Sequence, residues 1–198
     1  MTDYLFFAVF PYVAFILAVV VGMYRYFTDR FSYSAISSQF LEHRLLFWGS
    51  VPWHYEVIPI LLVHVIAAAF PSLWIALHHN LMRMVILEIV GIALGILALA
   101  GIMALIARRI AGPKPLKVTS VMDWVLLADL LLQVTAGLFI ALFYRWGSMW
   151  YVYTASPWLG SLANLSPRPD VITALPWIAK FHAFNAFVLI FLFPFTRL

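Results

Sequence analysis

Five long runs of apolar residues divide this chain and decide what it can fold into. The runs cover about residues 5–26, 51–70, 82–106, 122–144 and 177–195. A bilayer core needs roughly 20 helical residues, and lipid offers no partner to an exposed backbone, so a spanning segment is a helix or part of a closed barrel. Continuous apolar runs indicate helices. We predict an all-α integral membrane protein, a five-helix transmembrane bundle forming a single membrane domain over residues 1–198.

The basic residues predict the orientation of this bundle. The connections after the first and third runs, together with the C-terminal end, carry eight of the 12 Lys and Arg residues. The opposite side carries the remaining four, which are Arg83, Arg145, Arg168 and Lys180. The positive-inside rule then places the N-terminus outside and the C-terminus in the cytoplasm, in the cell inner (cytoplasmic) membrane. The formal charge of +4 reflects this topology, and no pattern suggests nucleic acid binding. We expect the first run to be a retained helix, because it is longer than a signal core and follows Asp3.

The chain contains no cysteine, which narrows the possible chemistry. Covalent c-type haem, cysteine-held iron–sulfur clusters and disulfides are excluded within it. The sequence also lacks a Gly-rich phosphate loop, a nucleophile elbow and a zinc-protease motif, so nothing in it supports hydrolytic chemistry. A haem in this chain must be held by histidine or methionine.

Three histidines lie inside apolar runs, His54 and His64 in the second and His182 in the last. Ionisable groups inside a membrane are costly and mark functional sites, and haem b is the simplest cofactor that would use them. At about 1.5 Å per residue His54 and His64 lie about 15 Å apart along one helix, so they cannot share one iron. They also differ by about 80° around the helix axis, so one helix could offer a ligand to each of two haems.

The depth of His182 predicts its partner. It lies about six residues into the last run, which enters from the outer side, and this depth matches that of His64. We therefore pair His64 with His182. Two imidazoles keep the iron six-coordinate, which suits electron transfer better than oxygen chemistry. His54 has no partner among the intramembrane histidines.

Other interpretations of the polar residues stay open. The histidines could instead bridge helices by hydrogen bonds. They could also form a proton relay with the acids Glu56, Glu88 and Asp129. Each acid could equally be hydrogen-bonded to a neighbouring helix. The other histidines, His43, His78 and His79, fit solvated loop positions, although His78 or His79 could belong to an outer quinol pocket.

Tryptophans and glycines have simpler predicted roles. Most tryptophans fall near the ends of the runs and predict an interfacial belt; they are Trp48, Trp53, Trp74, Trp146, Trp150, Trp158 and Trp177. Gly91, Gly95 and Gly101 in the third run predict close helix packing. Residues 156–170, rich in Pro, Ser and Asn, predict a long exposed loop.

Four segments give the chain a resemblance to a known family. They are SSQFLE at 37–42, the pair His54 and His64, DWVLLADLLLQVTAGL at 123–138 and KFHAFNAFVLIFLFPFTRL at 180–198. With these segments the chain resembles, over essentially its whole length, the gamma subunit of respiratory nitrate reductase, the membrane di-haem cytochrome b of that complex.

The resemblance implies a function in nitrate respiration, which is a form of anaerobic respiration that uses an electron-transport chain. The subunit would oxidise quinol at the outer side and pass electrons through two b haems to an iron–sulfur (beta) subunit. A molybdenum (alpha) subunit on the same cytoplasmic side would reduce nitrate. The matches of His64 and His182 hold the distal haem, and the match of His54 holds the proximal haem. A related quinol-linked cytochrome of another redox complex, as in sulfur metabolism, and a haem-free scaffold or proton path are the alternatives.

The sequence departs from the family pattern at two points. The second proximal ligand of the family is a histidine shortly after the PFTRL-type stretch, about two residues past Leu198, so we expect the natural chain to continue beyond that residue. The alternatives are a different ligand for the proximal haem and the absence of that haem. The family's lysine at the outer quinol site has no clear equivalent here. Arg83 is the nearest basic residue, and with His64 it is the candidate for the quinol site.

Overall fold

The computed structural model describes residues 2–29, 44–111, 116–117 and 119–196 of the chain. The segment 37–42, His43 and the last two residues of the C-terminal stretch lie outside the described residues. Nine helices of four or more residues occur in the described ranges: α1 Thr2–Thr28, α2 Arg44–Ala69, α3 Pro71–His78, α4 Leu81–Ala111, α5 Val121–Phe143, α6 Gly147–Tyr153, α7 Ala155–Ala163, α8 Asp170–Thr173 and α9 Trp177–Leu192. A 3₁₀ turn at Phe193–Phe195 continues α9.

Five of these helices, α1, α2, α4, α5 and α9, are long and apolar enough to cross a membrane, which confirms the predicted five-helix membrane fold. Their ends differ from the prediction, since α2 begins at Arg44 rather than 51 and α4 continues to Ala111 rather than 106. Helical hydrogen bonding does not stop where the apolar residues stop, because the polar flanks can also be helical.

Side chains form hydrogen bonds with backbone groups at the ends of two spanning helices. Ser120 and Asp123 form a capping box at the start of α5, in which each side chain accepts a hydrogen bond from the other residue's backbone N–H. The guanidinium of Arg25, near the end of α1, donates to the carbonyls of Pro194 and Thr196. These bonds use backbone carbonyls that the end of α9 leaves without helical partners.

The spanning helices pack in the order α2, α4, α5, α9, α1. The closest contact in this row is between α2 and α4, where a Cβ atom on Gly101 would lie 3.0 Å from the backbone nitrogen of Trp53 and 3.3 Å from the carbonyl oxygen of Gly49. Gly101 therefore has the predicted packing role. A Cβ atom on Gly95 would lie 3.2 Å from the Leu138 side chain, whereas one on Gly91 would contact nothing, so the packing prediction for Gly91 is wrong.

The predicted long exposed loop at 156–170 is wrong for its first half, whereas residues 164–169 lie outside the helices and most of them are exposed. Most of its first half is α7, and the indole of Trp158 is only 2% exposed because it packs against Phe7 and Leu162. Its Nε1–H donates to the carbonyl of Phe7 at 2.7 Å, inside a π-helical turn of α1 at Leu5–Val9. Pro11 has no N–H and cannot donate to that carbonyl, so Trp158 supplies the bond.

The burial of tryptophan side chains also corrects the prediction of an interfacial belt. Trp53, Trp74 and Trp158 are buried in three separate clusters of the core and do not face a membrane interface. Buried indoles need a hydrogen-bond acceptor for Nε1–H, and Trp74 finds one in the carbonyl of Ser148 at 2.9 Å. Position near a span end in the sequence does not distinguish such residues from interfacial ones.

Replacing Gly101 by alanine is predicted to destabilise the bundle. The new Cβ would meet backbone atoms of α2, which cannot turn aside as a flexible side chain can, so the two helices must separate. Overpacking of this kind costs about 1–3 kcal/mol, against a gain of about 1 kcal/mol in helix propensity. Thermal unfolding of the purified protein in detergent measures the effect.

The matched control is Gly91→Ala on the same helix, where the added Cβ enters open space. This variant is expected to unfold at the wild-type temperature or above it. Equal unfolding temperatures for the Gly101 and Gly91 variants would contradict the packing role of Gly101.

Candidate functional site

The three intramembrane histidines lie on two helices that are not neighbours in the bundle. His54 and His64 are both on α2, ten residues apart, and His182 is on α9. In the packing row α4 and α5 come between these two helices. Both α2 histidines are exposed, whereas His182 is partly buried.

Each of the three imidazoles has its Nδ1 beside a backbone carbonyl. His54 Nδ1 lies 2.7 Å from the oxygen of Ser50, and His64 Nδ1 lies 2.7 Å from that of Ile60. His182 Nδ1 lies 3.1 Å from the oxygen of Gln133 on α5. A carbonyl only accepts, so Nδ1 carries the proton and the neutral ring keeps a free lone pair on Nε2. This is the tautomer and support that metal-binding histidines use.

The rings of His64 and His182 approach each other across the space between α2 and α9. Their centroids are 6.4 Å apart, and their planes are inclined by 49°. Two imidazole–metal bonds of about 2.1 Å each, plus the distance from each nitrogen to the centre of its ring, sum to about this separation. The pair could therefore bind one metal atom between them.

A glycine makes room for the His182 ring. A Cβ atom on Gly137 of α5 would lie 2.9 Å from Cε1 of His182, closer than real Cβ contacts. One turn earlier on α5 is Gln133, whose carbonyl accepts from His182 and whose side-chain oxygen accepts from Asn185 Nδ2 at 3.0 Å. The ring is thus fixed by α5 on one side and is open towards His64 on the other.

Tyr151 of α6 contacts His64 from the segment between α5 and α9. Its phenol O–H donates to the His64 carbonyl at 3.2 Å, and its ring meets the imidazole edge-on with centroids 5.7 Å apart. Burial raises the pKa of Tyr151 to about 12, so the phenol keeps its proton and remains a donor.

The His64 side chain is exposed, although it lies on a side of α2 that is buried elsewhere. At about 100° per residue, His64 lies within about 20° of Trp53 around the α2 axis. Trp53 is only 8% exposed, while His64 on the same side of the helix is exposed. This side of α2 is therefore covered by the bundle at the level of Trp53 and accessible at the level of His64.

The other predicted site residues lie apart from this pair. Arg83 is exposed in the first turn of α4, where its backbone N–H donates to the Asn80 side chain at 3.3 Å. His79 is exposed as predicted. The solvated position predicted for His78 is wrong, because it is 4% exposed and packs on Trp74 with ring centroids 4.5 Å apart. Its Nε2 is also free, but the burial of the ring leaves no room beside it for a bulky ligand.

The three intramembrane acids differ in their surroundings. Glu88 accepts a hydrogen bond from the backbone N–H of Trp146 at 2.5 Å and faces Arg145 at 3.9 Å, so it is a satisfied partner between helices. Glu56 and Asp129 are buried, and each has one carboxyl oxygen without a hydrogen-bond partner among the described residues. Such atoms are costly in the membrane interior and require a proton or another partner.

The geometry fits haem better than a bare metal ion. The described part of the chain has no group of three or more His, Asp or Glu residues that could hold a metal ion. Haem needs only axial ligands from the protein, because the porphyrin supplies the other iron ligands. Two neighbouring imidazoles whose Nδ1 atoms lie beside backbone carbonyls, and whose Nε2 atoms have no hydrogen-bond partner among the described residues, meet that need.

Gly137, Gln133 and Tyr151 are site residues that reasoning from the sequence missed. Gln133 is a polar residue in the middle of an apolar run, and this signal could have drawn attention to α5. No such signal exists for Tyr151, because it reaches His64 across 87 residues of sequence through the folding of α6.

Comparison with known proteins gives a family match over nearly the whole chain. The profile of the family described as nitrate reductase gamma subunit matches residues 3–198. The nitrate reductase gamma chain of Bacillus subtilis is 30% identical over 207 residues, which cover 100% of this chain and 90% of the relative. The respiratory nitrate reductase 1 gamma chain of Escherichia coli is 24% identical over 201 residues, covering 98% of this chain and 87% of the relative.

A longer relative contains the same region as one part. The nitrate reductase-like protein NarX of Mycobacterium tuberculosis is 32% identical over 200 residues, which cover 98% of this chain. The chain spans 30% of the length of that relative.

Replacing Gly137 by alanine is predicted to weaken any haem held by His182. The added Cβ would push the imidazole away from the Gln133 carbonyl and change the direction of its Nε2. We expect less than the wild-type amount of haem per polypeptide, measured by the pyridine haemochrome assay. Gly160→Ala on α7 is the control, since its Cβ would contact nothing. Full haem content in the Gly137 variant would refute this role.

Proposed function

Because the chain belongs to the nitrate reductase gamma subunit family, we propose that it is the haem b-containing, quinol-oxidising membrane subunit of a respiratory nitrate reductase. The observation that carries the haem assignment is the approach of His64 and His182 from helices that are not adjacent in the packing order, with no hydrogen-bond partner on either Nε2 among the described residues. The family membership supports the assignment to nitrate respiration.

His64 and His182 would hold the distal haem, and His54 would provide one ligand of the proximal haem. When bound, the two b haems supply one-electron transfer, and bis-histidine ligation leaves no position open for oxygen. The role of the protein is to bind the haems and to orient the histidine ligands. Each Nδ1–H bond to a carbonyl holds its ring in one direction and keeps the proton off Nε2.

The direction of electron flow follows from the proposed orientation. With the N-terminus outside, His64 lies near the outer side of α2 and His54 about 15 Å further in. Quinol would be oxidised at the outer side and would release its protons there, while its electrons would move inward. The electron acceptor would be an iron–sulfur (beta) subunit on the cytoplasmic side, and nitrate would be reduced in a molybdenum (alpha) subunit.

Arg83 and His64 are the proposed contacts for the quinol. Arg83 is exposed at the beginning of α4, on the same side of the membrane as the end of α2 that carries His64. A guanidinium can donate hydrogen bonds to a quinol oxygen and cannot remove its proton. The proton would therefore leave through another group or through water.

A proton path through the bundle is the second candidate function. The unpartnered carboxyl oxygens of Glu56 and Asp129 favour it, because buried acids in a membrane mark proton paths. In that case the histidine variants described next would retain the wild-type haem content.

Replacing single histidines tests which of them binds each of the two proposed haems. His64→Ala or His182→Ala is predicted to reduce the haem content from two to one per polypeptide and to abolish reduction of haem by quinol. His54→Ala is predicted to remove only the proximal haem, so that the distal haem is still reduced by quinol but the complex no longer reduces nitrate. Haem stoichiometry and quinol-reduced spectra of the purified complex measure these effects.

His79→Ala is the matched control, because His79 is exposed and lies outside the intramembrane set. It should keep both haems. Two haems in every histidine variant would refute the ligand assignment, provided that the variants assemble with the other subunits to the wild-type level.

Single cysteines test the orientation, since residues 1–198 contain none. His79→Cys should react with a membrane-impermeant maleimide added outside intact cells, and Lys117→Cys should react only after the membrane is opened. Both positions are exposed. The opposite labelling pattern would reverse the proposed topology.

A further inference from the structure

His64 is fixed by Tyr151 as well as by its own helix. The phenol O–H of Tyr151 bonds to the His64 carbonyl, and the two rings meet at 88° with centroids 5.7 Å apart. We propose that Tyr151 is a positioning residue for His64, which sets the direction in which the imidazole presents Nε2 to the distal haem. The inference rests on the proposed haem ligation.

Three contacts restrict the movement of the His64 imidazole. The Nδ1–H bond to the Ile60 carbonyl restricts rotation of the ring along α2. The edge-on ring of Tyr151 restricts tilting, and the O–H bond to the His64 carbonyl restricts the backbone that carries the ring. Ligand-supporting contacts of this kind tune the bound metal as well as its affinity.

Tyr151 can have this role because its own segment is firmly attached to α2 and α3. The Trp74 indole of α3 donates to the carbonyl of Ser148, and Ser156 Oγ donates to that of Ala68 at 3.1 Å. Tyr151 itself packs against the buried cluster formed by Ala67, Trp74 and Val152. The phenol is therefore in a fixed position relative to the outer end of α2.

The test is Tyr151→Phe, which removes the O–H and keeps the ring. In a bis-imidazole haem, the orientation of the two ligand planes affects the g values of the oxidised iron and its reduction potential. We expect the variant complex to keep two haems while the midpoint potential and the largest g value of the distal haem shift from the wild-type values. Tyr151→Leu, which also removes the ring, should shift them further or lose the distal haem.

Tyr153→Phe is the matched control. It lies on the same short helix, is 62% exposed and should have wild-type spectra and potentials. Wild-type potentials and g values in both Tyr151 variants would overturn the positioning role, while the haem assignment would stand. A wild-type complex without haem in this chain would instead overturn the proposed function and this inference with it. The haem count of the wild type therefore distinguishes the two failures.

Discussion

The absence of water in the bilayer core governs this structure, because every polar atom in the spans must find its partner within the protein. The clearest case is the Phe7 carbonyl, to which Pro11 cannot donate and Trp158 does at 2.7 Å. The same requirement acts on the histidines, whose Nδ1–H groups bond to the carbonyls of Ser50, Ile60 and Gln133. A hydrogen bond that keeps the proton on Nδ1 leaves the lone pair of Nε2 available. The need to satisfy polar groups in the membrane therefore also prepares the imidazoles to act as ligands.

Helix packing brings two of these imidazoles, those of His64 and His182, close together. Close contact at Gly101 holds α2 against α4, and Gly137 lets the His182 ring of α9 lie against α5. Although α4 and α5 come between α2 and α9 in the packing order, the rings of His64 and His182 lie with their centroids 6.4 Å apart. The segment containing α6 and α7 then brings Tyr151 to His64.

The sequence predicts the parts of this arrangement that depend on local composition or helix geometry. The five spans follow from apolar length, and the position of two histidines on one helix follows from their spacing. Equal depth in the membrane correctly predicted that His64 and His182 approach each other, although their binding of haem stays a prediction. Burial of Trp158 and His78 was not predictable in this way, since it depends on which distant helix covers each residue. Tyr151 and Gly137 were missed for the same reason, because their contacts exist only after α6 and α9 have packed.

The most direct measurement is the amount of haem b per wild-type polypeptide in the purified complex, by pyridine haemochrome together with a reduced-minus-oxidised spectrum. The facing imidazoles of His64 and His182 predict one haem with a low-spin b-type spectrum, and the proximal haem proposed at His54 raises the expected number to two. A complex in which this chain carries no haem would contradict the account and would leave the histidines with structural or proton-relay roles.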